Sequence, residues 1–157
     1  MARHARAAAS AAVILALAPM AACAGSPFVT SETCIDWVWF ETPADAAAES
    51  DAVVLGRIVD QAGTSNYLDI PATTWNVEVD SWLDGGGEGD GEIVVTSLPR
   101  SCGDTRDIMS ERQGDEPVIL FLRDASSGWE IITPLQGVVP AGPDGGIPTV
   151  WPDAIEG

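Results

Sequence analysis

Asp51-Ala52-Val53-Val54-Leu55-Gly56-Arg57-Ile58-Val59-Asp60 is the stretch on which the fold turns. Its β-branched residues suit a pleated strand, and the turn residues Gly63-Thr64-Ser65-Asn66 follow it. A glycine inside a strand marks a bulge or a bend, so Gly56 reads as the corner of a small barrel.

On the C-terminal side, Trp75, Val77 and Val79 alternate with Asn76, Glu78 and Asp80. Period two over Thr73–Leu83 predicts a strand with one buried and one wet face. Asp84 to Glu92 is Gly-rich and acidic, the composition of a hairpin tip, and Ile93–Leu98 reads as a third strand. Residues 99–114 are polar, with a short helical turn expected over Asp107–Arg112. Pro117–Arg123 is apolar on both faces and therefore central, and Trp129–Pro134 supplies a fifth strand. Prolines and glycines over 137–157 predict an irregular tail whose Trp151 packs back on the body.

On the N-terminal side, Thr42-Pro43-Ala44-Asp45 opens a short helix: a capping threonine, a proline at the first helical position and an acid in the first turn. Cys34–Phe40 is apolar and aromatic, a first strand or a pinned segment. Further back, Arg3, His4 and Arg6 precede an apolar run from Ala7 to Ala18, and Ala21-Ala22-Cys23 follows. A basic start, a short apolar stretch and small residues at the cut make a secretory signal. The cysteine behind two small residues makes residues 1–22 a lipoprotein signal, with Cys23 acylated. An ordinary signal cut near Ala22 or Ala24 is the alternative. The division is then 1–22 signal, 23–33 tether, 34–136 an all-β, five-stranded, OB-like barrel with one or two short helices, and 137–157 tail. Its place is the outer face of the bacterial cytoplasmic membrane, held to the bilayer by the lipid on Cys23.

Three cysteines leave one over in an exported chain. Lipidation of Cys23 uses that one and leaves Cys34 and Cys102 as a disulfide pair; free thiols and metal ligands are the other readings. Charge excludes a great deal. Arg3 and Arg6 leave with the signal, so five arginines face 24 acids at a charge of −19, and the chain has no lysine. Such a surface repels phosphates, which argues against a nucleic-acid partner and against adhesion to anionic headgroups. His4 is the single histidine and lies in the signal. Ser-His-Asp and Cys-His nucleophiles, Schiff-base lysines and His-bearing zinc sites are therefore missing from the mature chain, and no enzymatic activity is expected.

Candidate sites are few. Asp84, Glu88, Asp90 and Glu92 offer oxygens on a flexible turn, so Ca²⁺ is the one cation to consider and no other cofactor is implied; a solvated hairpin tip is the plainer account. Most tryptophans belong to the core. Trp82 falls on the wet face by the alternation above and is the first candidate for ligand contact, with Trp39 second. Arg57 and Arg123, on strands amid many acids, are expected to pair with carboxylates.

Taken together, the Ala-rich helix, Asp51–Ile58, Ser81-Trp82-Leu83-Asp84-Gly85, Ile93–Thr96, Cys102-Gly103 and Gly114–Leu122 resemble the netrin-like OB-fold of tissue inhibitors of metalloproteinases. Exported actinobacterial proteins of that type are more similar still. The resemblance covers roughly residues 34–136. It implies a five-stranded barrel with an N-terminal segment linked to it by a disulfide. The inhibitors chelate their target's zinc through a free N-terminal cysteine. Here the terminal Cys23 would be acylated, so that mechanism and its residues do not carry over. The expected function is a membrane-anchored extracytoplasmic module that binds a protein or envelope component, the alternative being a cation-binding protein using the acidic loop.

Overall fold

The computed structural model describes residues 34–87 and 91–152. The signal, Cys23, the tether, Glu88 and Asp90 lie outside the described residues. The elements run α1 (Pro43–Ala48), β1 (Ala52–Tyr67), β2 (Ile70–Gly85), β3 (Gly91–Ser97), α2 (Ile108–Glu111), β4 (Val118–Ala125), β5 (Gly128–Ile131) and β6 (Val138–Pro140).

The strands form one sheet in the order β1-β2-β3-β5-β4-β6, and β1 also pairs with β4. Five strands therefore close a ring, with β6 attached outside it along β4. All pairings are antiparallel except β3 with β5, where Val95 faces Trp129 and Thr96 faces Glu130. No described helix is long and apolar enough to cross a membrane.

Successive side chains of a strand leave on opposite faces. β4 therefore feeds two clusters. Val118, Leu120 and Leu122 join Ala52, Val54 and Ile58 of β1, Trp75, Val77 and Val79 of β2, Val95 of β3 and Ile131 of β5. All five ring strands contribute, so this cluster is the ring's interior. Ile119 and Phe121 join Phe40, Ala46, Val53, Ile132 and Val139 in a second cluster on the other face. The expectation that β4 is apolar on both sides because it is central is met.

Gly56 does mark a bulge. Leu55 lies opposite Ser81 and Gly56 opposite Val79, which leaves Asp80 unopposed. A Cβ on Gly56 would lie 2.4 Å from the carbonyl oxygen of Glu78, so no other residue fits without moving the backbone. Arg57 takes up the bulged residue in a 2.8 Å ion pair with Asp80. A second shift leaves Leu83 unopposed between Asp84 and Trp82.

Three expectations need correction. The turn expected at Gly63–Asn66 lies within β1, which runs on to a two-residue turn at Leu68-Asp69. Trp82 is not on the wet face: the bulge at Asp80 reverses the alternation, and Trp82 is half-buried against the interior cluster. The stretch expected to be irregular over 137–157 holds β6, whose Val138 and Val139 are buried against β4. Trp151 does pack back, its ring 6.0 Å from that of Phe121.

Candidate binding cleft

Among the described residues, a first hollow lies at the tip of the β1–β2 hairpin. Leu68 and Asp69 close that hairpin with φ of 48° and 65°. A two-residue turn with both φ positive matches the right-handed twist of its strands, which is why Asn-Gly usually occupies it. Asp tolerates this conformation, but Leu does not, at a cost of roughly 1–2 kcal/mol. Past the turn, Ile70, Pro71 and Ala72 form the near wall. β3 covers β2 only from Thr73 onward, where Thr73 faces Ser97.

The far wall is the connection from β3 to α2, Ser97 to Asp107. Irregular backbone needs fastening, and this segment is fastened at several points. Cys34 and Cys102 are disulfide-bonded, their Cα atoms 4.4 Å apart. The Ile35 amide donates to Ser101 Oγ at 2.5 Å. Cys102 and Gly103 both take positive φ, 57° and 78°. Leu68, Asp69 and Cys102 are the non-glycine residues with positive φ among the described residues, and all three sit at or beside this cleft.

Charges on the far wall are paired among themselves. The Arg100 side chain is only 8% exposed and meets Glu111 at 3.2 Å and Asp104 at 3.5 Å. Its Nε is buried without a hydrogen-bond partner among the described residues. Arg106 reaches Asp104 at 2.8 Å. That hydrogen bond holds the Asp104 carboxyl well below the usual carboxylate range, and the same contact raises the Arg106 guanidinium. Asp107 ties the wall to the interior. It caps α2 by accepting from the Met109 amide at 2.9 Å, and it also accepts from Ser97 Oγ at 2.5 Å and from Trp75 Nε1 at 3.0 Å. Ser97 and Asp107 thus form a structural pair. No histidine occurs among the described residues to take a proton, since the single one in the chain is His4. The space between the walls is about 440 Å³, lined by apolar Ile70, Pro71, Ala72 and Leu98 and by charged Asp69, Arg100, Asp104 and Arg106.

The second hollow, about 600 Å³, lies beside segment 34–40, a strap held at Ile35 by Ser101 and at Phe40 by Gln136. Gln136 fixes the end of that strap. Its side chain is fully buried and mimics a strand partner: Phe40 N donates to Oε1 at 2.8 Å, and Nε2 donates to the Phe40 carbonyl at 2.9 Å. Trp151 Nε1 donates to the same carbonyl at 2.9 Å. α1 borders the hollow and is set by a capping box, Thr42 and Asp45 bonding reciprocally. Arg123 lines the hollow too; the hydrogen bond it donates to the buried Glu130 carboxylate raises its guanidinium, against the effect of burial.

The expected site residues are scattered over this frame. Trp39 lines the second hollow and is 56% exposed. Trp82 lines neither; its ring lies 5.7 Å from that of Trp129, and a Cβ on Gly86 would strike its indole at 2.1 Å. Asp84 accepts from the amide of Gly85 beside it, and Glu92 stands opposite Glu78. No group of three or more His, Cys, Asp or Glu placed to hold a metal ion occurs among the described residues. Arg57 and Arg123 pair with Asp80 and Glu130 as expected. Arg100, Asp107 and Gln136 were not singled out by sequence. Asp107 had a signal, as an Asx residue at the start of the expected helical turn; Gln136 had none.

No protein-family model, no curated protein and no solved structure matches the chain.

Proposed function

We propose that the chain is an extracytoplasmic binding module, lipid-anchored through Cys23 and built on an OB-like barrel, which takes up a protein or envelope component without catalysis. The five-strand ring with its outer strap suits an OB-like barrel tethered by a disulfide, and such barrels bind ligands on faces and loops of this kind. One observation carries the binding assignment. The strained non-glycine backbone among the described residues gathers at the two walls of the first cleft, and the far wall is cross-linked. Strain of this sort persists only where the surroundings over-determine it, and it clusters at ligand sites. A wall fixed in advance loses little entropy when a ligand arrives.

The test is photo-crosslinking in intact cells, with the photoreactive residue at Thr105 on the cleft rim or at Glu78 on the outer face of β2. A discrete crosslinked species from Thr105 and none from Glu78 is the expected result. Equal labelling from both positions, or none from Thr105, overturns the assignment, and measured turnover of a substrate overturns its non-catalytic part.

A further inference from the structure

The hollow beside the strap has its own chemistry, independent of the cleft. Its floor exposes Val38 and Trp39, at 64% and 56%, with Ile132 behind them. An exposed tryptophan next to an exposed valine is an unusual use of apolar surface in a chain with 24 acids. The rim is acidic: Glu41, Asp45 and Glu49. The carboxylates of Glu41 and Glu49 make no hydrogen bond or ion pair among the described residues, while Asp45 spends its carboxylate on the Thr42 cap. Arg123 does not offset this charge, because Glu130 already neutralises it.

A side chain that complements such a hollow is apolar along its stem and cationic at its tip. Lysine and arginine are built that way, laying methylenes on apolar surface while the head stays polar. A cation above an indole face gains further attraction. We propose that this hollow docks a basic segment of a partner protein, seating a lysine or arginine side chain on Trp39 with its charge among Glu41, Asp45 and Glu49. The same carboxylates repel anionic headgroups, and a second copy of this chain would bring its own acids against them. The proposal goes beyond the cleft assignment and stands or falls separately from it.

The test is an NMR titration of the protein with a hexalysine peptide, reading the Trp39 indole N–H, which a Trp39→Phe variant identifies. A saturable shift of that resonance is expected. Trp39→Ala and the double variant Glu41→Gln/Glu49→Gln should each weaken binding about tenfold. Glu78→Gln/Glu92→Gln removes equal charge from the outer face of β2 and β3 and should change it less than about twofold. Equal weakening by the two double variants would mean diffuse attraction and overturn the proposal. So would an unmoved Trp39 resonance, a shift produced by phosphatidylcholine vesicles instead, or one produced by raising the protein concentration alone.

Discussion

The two hollows are built in opposite ways. At the cleft, the charges are paired within one wall, and a disulfide, the Asp107 hydrogen bonds and the Arg100 ion pairs hold that wall in place. At the hollow beside the strap, the Glu41 and Glu49 carboxylates have no partner among the described residues, Trp39 is 56% exposed, and Gln136 holds the backbone of Phe40. The first site is fastened, and both of its arginines are ion-paired. The second is open and charged, with its rigidity confined to the floor. A rigid site favours a shaped ligand through preorganisation, while an open acidic one favours a basic partner through long-range attraction.

Four perturbations separate the two constructions. The largest effect is expected from Cys34→Ser/Cys102→Ser. The bond spans 68 residues, and on chain entropy its loss costs about 4 kcal/mol. Denaturant unfolding reads that loss, and hydrogen exchange should speed up over residues 101–107 while Phe40 stays protected. Gln136→Leu should do the reverse. It leaves the buried Phe40 amide without an acceptor, at about 2–3 kcal/mol, and frees Phe40 to exchange while the 101–107 loop keeps its protection. If either variant loosens both sites together, the sites are not independent.

Asp107→Ala removes a helix cap and orphans Trp75 Nε1, so about 1–2 kcal/mol is expected, with the loss of protection confined to the cleft wall. The smallest effect belongs to Asp104. Its folded-state pKa lies below its ordinary 3.8, so the stability it contributes is present above that value and is lost as pH falls below it. Because the pair is solvent-exposed, the contribution is under about 1 kcal/mol. The difference in unfolding midpoint between the native protein and Asp104→Asn should be constant near neutrality, should begin to narrow as pH falls below 3.8, and should close only in strong acid. A difference that persists in strong acid would show that Arg106 does not hold this carboxyl.

What sequence could tell follows the same division. β4 was legible because only a strand covered on both faces is apolar throughout, and Gly56 because only glycine tolerates the Glu78 carbonyl so close. The Cys34–Cys102 pair was one of the readings that followed from setting Cys23 aside as the lipidated residue. The cleft was not legible: its walls come from residues 69–73 and 97–107, and the turn that defines one of them is Leu68-Asp69, where no glycine or asparagine announces a positive φ. Trp82 was misplaced because a bulge changes register silently, and two-residue periodicity has no means of seeing an unopposed Asp80. Trp39 was legible as an exposed aromatic, but the carboxylates around it come from α1 and the residues flanking it, and only tertiary packing assembles that rim.

The proposed function requires a domain held outside the cell by a lipid on Cys23, where the Cys34–Cys102 bond beside the cleft stays oxidised. Intact mass of the membrane-extracted protein, measured without reductant, tests that most directly. The expected species begins at Cys23, carries a diacylglyceryl mass, and is two hydrogens lighter than the dithiol chain. An unprocessed chain beginning at Met1, with all three cysteines open to alkylation, would contradict it.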